Sequence, residues 1–164
     1  LMENYSPVCD INTKELVTMF SHMALDGNWH DALQYMCDCY KQLSSVRDSI
    51  EGERNIQGFF MAYLSLCNYY ITAPELELKH GYCDFFLLPN MTHYQSKHCY
   101  ILELKYLSKS DYTEKKAQEQ WDEAVEQING YAVAPRVEAL RQGTQLHKII
   151  IQFCGWDMMK MEEV

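Results

Sequence analysis

Several things are scarce in this chain of 164 residues, and each scarcity excludes something. No apolar run approaches the roughly 18 residues that a membrane-spanning helix needs, so a membrane span is not expected. Residues 1–10 (LMENYSPVCD) lack a basic stretch followed by an apolar one, so no secretory leader is read there. Basic residues are few: 14 Lys and Arg stand against 23 Asp and Glu, a formal net charge of −9. That balance argues against a protein that coats nucleic acid non-specifically through a basic face. There is no G-x-x-x-x-G-K-[ST] phosphate loop and no G-x-S-x-G elbow, so neither nucleotide hydrolysis by a P-loop nor acyl transfer by an activated serine is indicated. Internal repeats and low-complexity linkers are also missing.

What is present is a substantial core. Apolar residues make up 48% and aromatics 13%, too dense for a disordered chain and enough for one domain. The seven cysteines are odd in number and irregularly spaced, mostly inside apolar runs such as GYCDFF and IQFCGW. There they act as small hydrophobes in a reducing, cytoplasmic setting. Cys37 and Cys39 form a C-x-C, but two positions apart on a helix do not face the same way. The Asn90-Met91-Thr92 sequon is discounted without a secretion signal. The leading Leu suggests a piece of a longer protein.

Hydrophobic spacing gives a helix over 13–25, capped by Asp10 or Asn12 and ended at Asp26-Gly27-Asn28, a second from about Trp29, and a third over 51–68. Strands follow at 69–78, despite Pro74, and at 82–88, then a polar hairpin loop at 90–97 and a strand at 98–107. A helix over 113–131 carries Ala117, Trp121, Ala124, Val125, Ile128 and Tyr131 on one stripe. A short helix at 136–142 precedes a strand at 146–154 whose apolar run implies burial on both faces.

The third strand carries the chemistry. In Ile101-Leu102-Glu103-Leu104-Lys105, alternate residues share a face, so Glu103 and Lys105 point together. Apolar neighbours imply a covered strand, where a carboxylate and an ammonium are costly unless paired or bound. Asp84 is a second isolated carboxylate in an apolar strand, and hairpin pairing would set it beside Glu103. Two adjacent carboxylates repel unless a cation joins them, and oxygen ligands suit a hard divalent ion, Mg²⁺ or Mn²⁺. The plainer alternative is a buried ion pair of Lys105 with Glu103 or Asp84. His80, Cys83, His98 and Cys99 flank the same region, but their spacing matches no zinc knuckle. Glu75 and Glu77 share a strand face that is read as exposed, with Glu77 beside the site as the alternative, and Trp121 and Trp156 are read as core anchors.

Gly81-Tyr82-Cys83-Asp84, then Glu103-Leu104-Lys105 on the next strand, then Gln127-Ile128-Asn129-Gly130-Tyr131 on the following helix, resembles the G-x-x-D, E-x-K and Q-x-x-x-Y motifs of the PD-(D/E)XK nuclease superfamily. The last element is typical of its RecB-like branch. Glu53, in EGERNIQGFFMAYL, is similar to the family's first, helical motif. Over about residues 51–156 the chain is similar to the nuclease-like domain at the C-terminus of bacterial AAA-ATPase-like proteins common in Bacteroidales.

The resemblance implies a restriction-endonuclease-like α/β fold with a mixed sheet of about four strands between helices. The nuclease-like domain would span 51–164, and residues 1–50 would be a helical segment packing on it or leading from an upstream ATPase. It implies DNA as substrate, with Asp84, Glu103, the Leu104 carbonyl and Glu53 around a Mg²⁺ or Mn²⁺ ion. Lys105 would assist at the phosphoryl group, and Gln127 and Tyr131 would hold the site. Two departures stand out: Cys83 replaces the family's proline, and Tyr82 occupies a slot where relatives often carry Arg. Residues 69–164 hold 10 basic and 14 acidic side chains. Their basic strip is Lys97, Lys105, Lys109, Lys115, Lys116, Arg136 and Arg141. A catalytically silent interaction module with the same fold is therefore the rival reading.

Overall fold

A computed structural model describes residues 12–44, 52–78 and 81–164. Three helices come first: α1 (Thr13–Asp26), α2 (His30–Leu43) and α3 (Glu53–Leu64). Strands β1 (Tyr70–Leu78), β2 (Gly81–Pro89) and β3 (His98–Leu107) follow, then α4 (Glu114–Ala132), α5 (Pro135–Leu140), β4 (Gln145–Cys154) and β5 (Asp157–Glu163). Asn12 caps α1 by accepting the Glu15 N–H, and Gly27 closes it in the left-handed conformation at φ 74° that glycine adopts without strain. Asp10, the other expected cap, lies outside the described residues. Thr113 caps α4 in the same way as Asn12, accepting from Lys116.

The five strands form one sheet in sequence order, β1-β2-β3-β4-β5. β1–β2, β2–β3 and β4–β5 are antiparallel, while β3–β4 is parallel. The parallel pair is joined by the α4–α5 crossover, as parallel strands require. Pro74 lies on an edge strand, the place in a sheet where proline is tolerated. The sheet has one strand more than expected. β5 reads DMMKMEE, too charged and too poor in β-branched residues to signal a strand, and it forms by pairing with the apolar β4.

Each face of the sheet is covered. On one, α1, α2 and α3 bury Phe20, Met23, Tyr40, Phe59 and Phe60 against Tyr100, Leu102, Leu104, Ile151 and Phe153. On the other, α4 and α5 bury Trp121, Ala124, Ile128 and Val137 against Cys99, Ile101 and Ile150. Residues 12–44 thus share a core with the sheet, and the Tyr100 hydroxyl donates to the Met23 carbonyl at 2.7 Å. Trp121 and Trp156 are both buried, as core anchors. Among the described residues no helix is long and apolar enough to cross a membrane.

Candidate active site

β3 alternates strictly. Tyr100, Leu102 and Leu104 face the first three helices, and Cys99 and Ile101 face α4. Glu103 and Lys105 continue the α4 face. β2 does not alternate strictly. Cys83 packs on the α4 side and Phe85, two residues on, packs on the opposite side, whereas regular strands keep i and i+2 together. The slip falls on Asp84. Opposite it on β1, Pro74 pairs Phe85 and Leu76 pairs Cys83, and between them Glu75 stands at φ 48°. This left-handed conformation is uncommon for a residue with a Cβ. On its other side β2 pairs with β3 only from Phe85↔Leu102 to Leu87↔Tyr100. The sheet therefore opens at Asp84.

The Asp84 carboxylate fills that opening. One oxygen accepts the Leu104 backbone N–H at 2.7 Å, taking the place of a strand partner, and the other accepts the Gln57 amide at 2.9 Å. Because N–H and C=O of one strand residue project to the same edge, the Leu104 carbonyl faces the same gap. Burial raises the Asp84 pKa. The Leu104 N–H, Lys105 and Gln57 oppose that shift, and the negative charge of Glu53 adds to it.

Glu103 is buried, with 4% of its surface exposed. One of its oxygens meets the Lys105 ammonium at 3.2 Å, so the ion pair weighed as the plainer alternative exists. It does not satisfy the group: Glu103 Oε2 is buried without a hydrogen-bond partner. Burial, then the charge of Asp84, pushes the Glu103 carboxyl up to about 7, against the opposing pull of Lys105 and the Asp84 backbone. Lys105 also donates to Gln127 on α4 at 3.0 Å. Burial pushes the Tyr131 hydroxyl, one turn further along α4, up to about 12, and the nearby charges of Glu103 and Asp84 add to that rise.

The structure thus gathers Asp84, Glu103, Lys105, Leu104 and Gln127, with Tyr131 beside them. Glu53 is placed differently. It is exposed in the first turn of α3 and acts on Asp84 through space, and the α3 side chain bonded to Asp84 is Gln57, one turn later. The sequence does not mark Gln57, because an amide in an amphipathic helix carries no signal of its own; its spacing of four from Glu53 puts it on the same helical face.

Among the described residues no three His, Cys, Asp or Glu side chains converge as a metal-binding group. The donor chemistry nevertheless suits a hard divalent ion. Two carboxylates and a carbonyl supply only oxygen, the unpartnered Glu103 Oε2 offers an unused acceptor, and bonded carboxylate oxygens retain lone pairs. Among the described residues Cys83, His98 and Cys99 do not gather as a zinc site. Cys83 and Cys99 are buried in the α4-side core, His80 lies outside the described residues, and His98 is hydrogen-bonded to His147 at 2.8 Å. Much of the expected basic strip is engaged locally: Lys115 with Glu119, Arg136 with the Glu77 carbonyl, Arg141 with Glu138 and the Thr144 carbonyl.

Comparison with curated proteins and with solved structures yields no match. A family model matches residues 51–163, described as that of the PD-(D/E)XK nuclease superfamily. That stretch contains α3, the whole sheet and the opened junction at Asp84, and the chain belongs to the PD-(D/E)XK nuclease superfamily.

Proposed function

We propose that this domain hydrolyses phosphodiester bonds of DNA with Mg²⁺ or Mn²⁺, using Asp84, Glu103 and the Leu104 carbonyl to hold the ion. The observation that carries the reading is the pairing of two carboxylates at a break in the sheet, one of them with a buried oxygen that nothing in the protein satisfies. A bound divalent ion would supply Lewis-acid polarisation of the phosphodiester. Lys105, tethered by Gln127 at the exposed margin, is set to donate to phosphoryl oxygens as charge develops on them. Gln57 and the Leu104 N–H fix the Asp84 carboxylate so that both acids face one space. Tyr131 closes the α4 side. Glu53 contributes charge from the rim of α3 and would complete the ion's surroundings from there.

The site residues sit within the RecB-like pattern, and we place the chain as the C-terminal part of an AAA-ATPase-like bacterial, cytoplasmic protein. Residues 1–50 would connect the nuclease-like part to the rest. The excess of acidic residues fits substrate delivery by another domain, since phosphate neutralisation by Lys and Arg supplies most nucleic-acid affinity.

A second reading, a fold retained as an interaction module, is favoured by one observation: among the described residues no third carboxylate joins Asp84 and Glu103. The two separate by experiment. Single- and double-stranded DNA are incubated with wild type, Glu103→Ala and Lys105→Ala, with Mg²⁺ or Mn²⁺. Cleavage by wild type that falls at least a hundredfold in both variants supports the nuclease. Equal cleavage by all three, or none by wild type on either substrate, removes it.

A further inference from the structure

Two glycines stand inside long helices of this chain, Gly58 in α3 and Gly130 in α4. Glycine is the poorest helix former after proline, because it loses the most backbone freedom on folding. It is usually retained for a positive φ or for a close neighbour. Neither glycine has either: a Cβ placed on Gly130, or on the exposed Gly58, would meet nothing within 4 Å. What lies over Gly58 is space. A cleft of about 350 Å³ opens between α3 and the β1–β2 edge, lined by Arg54, Gly58, Met61, Glu75, Asp84 and Phe85. That volume is at the lower end of the range for small-ligand sites.

The lining is sorted. Met61 and Phe85 give it an apolar lining. Arg54 supplies a cation, and Glu75 and Asp84 supply acceptors. The strained backbone of Glu75, at φ 48°, forms part of the rim. A planar apolar body with a polar edge, joined to an anion, matches this set, and the cleft is continuous with the carboxylate that the proposed reaction uses.

We propose that this cleft is the subsite for the nucleoside attached to the scissile phosphodiester, and that Gly58 keeps it open. The inference rests on the nuclease reading for the identity of the ligand. The base would lie against Phe85 and Met61, its donor groups toward Glu75, with Arg54 facing the adjoining phosphate.

The test is binding of the four deoxynucleoside 5′-monophosphates in Mg²⁺, followed by amide chemical shifts, alongside cleavage of a short DNA oligonucleotide. In wild type at least one monophosphate should shift the amides of Gly58 and Phe85. Gly58→Leu should keep or raise the thermal midpoint, because it improves the helix and its Cβ meets no protein atom within 4 Å, while weakening that binding at least tenfold. Arg54→Ala, which leaves the helix intact, should weaken it as well. The subsite is overturned if no monophosphate moves those amides, or if a folded Gly58→Leu binds and cleaves like wild type. Monophosphate binding without cleavage by wild type would instead overturn the nuclease reading and leave the cleft as a nucleotide-binding site alone.

Discussion

β3 has two very different sides. Toward β4 it pairs without a break over ten positions, from His98↔Gln145 to Leu107↔Cys154. Toward β2 the pairing covers three, and ceases where Asp84 and Glu103 would have met. The first side is apolar and closed, with Ile149, Ile150 and Ile151 fully buried. The second is held through the Asp84 carboxylate, which accepts from the Gln57 amide and from the Leu104 N–H. One strand is thus anchored on one edge so that its other edge can carry carboxylates that do not satisfy each other. Positional precision at a reacting site needs such rigid support.

The largest expected effect lies on the closed side. Ile151→Ala should cost about 3 kcal/mol of stability, as a truncation in a packed core, read as a lower denaturation midpoint. An equal loss from a substitution at the open edge would remove the contrast.

Next comes pH. Glu103 is raised from its ordinary value to about 7 by burial and by Asp84. A carboxyl with a raised folded pKa favours the protonated form. Its stabilising contribution is full below the unfolded value near 4.5 and is lost as pH rises through about 7. Without divalent metal the protein should lose stability across that window. Glu103→Gln should abolish the loss, making the variant more stable than wild type at pH 8 by on the order of 2 kcal/mol. Parallel pH–stability curves for the two would show that Glu103 is not poised in this way.

A smaller effect is expected at Gln57. Gln57→Leu removes one hydrogen bond to a carboxylate, about 1 kcal/mol, and should move the Asp84 titration upward, since Gln57 holds it down. Unchanged Asp84 titration would mean that the amide does not support the site.

The closed side was legible in the residues themselves. LHKIIIQFC announces a doubly covered strand, and the alternation of YILELKYL places Glu103 and Lys105 on one face. The opened side was less so. That Asp84 lies near Glu103 follows from a hairpin, but the slip in β2 follows from the Glu75 backbone and the diverging ladder, which leave no periodic trace. Gln57 is invisible for the same reason, because its importance comes from where the sheet breaks. β5 is a tertiary effect, a charged segment made a strand by its neighbour.

The most direct measurement is a titration of the metal-free protein with Mn²⁺, followed by calorimetry, for wild type and Glu103→Gln at pH 8. Saturable binding by wild type that disappears or weakens at least a hundredfold in Glu103→Gln is the expected result. Equal Mn²⁺ affinity in the two proteins would contradict the claim that Asp84 and Glu103 together hold a divalent ion at the break in the sheet.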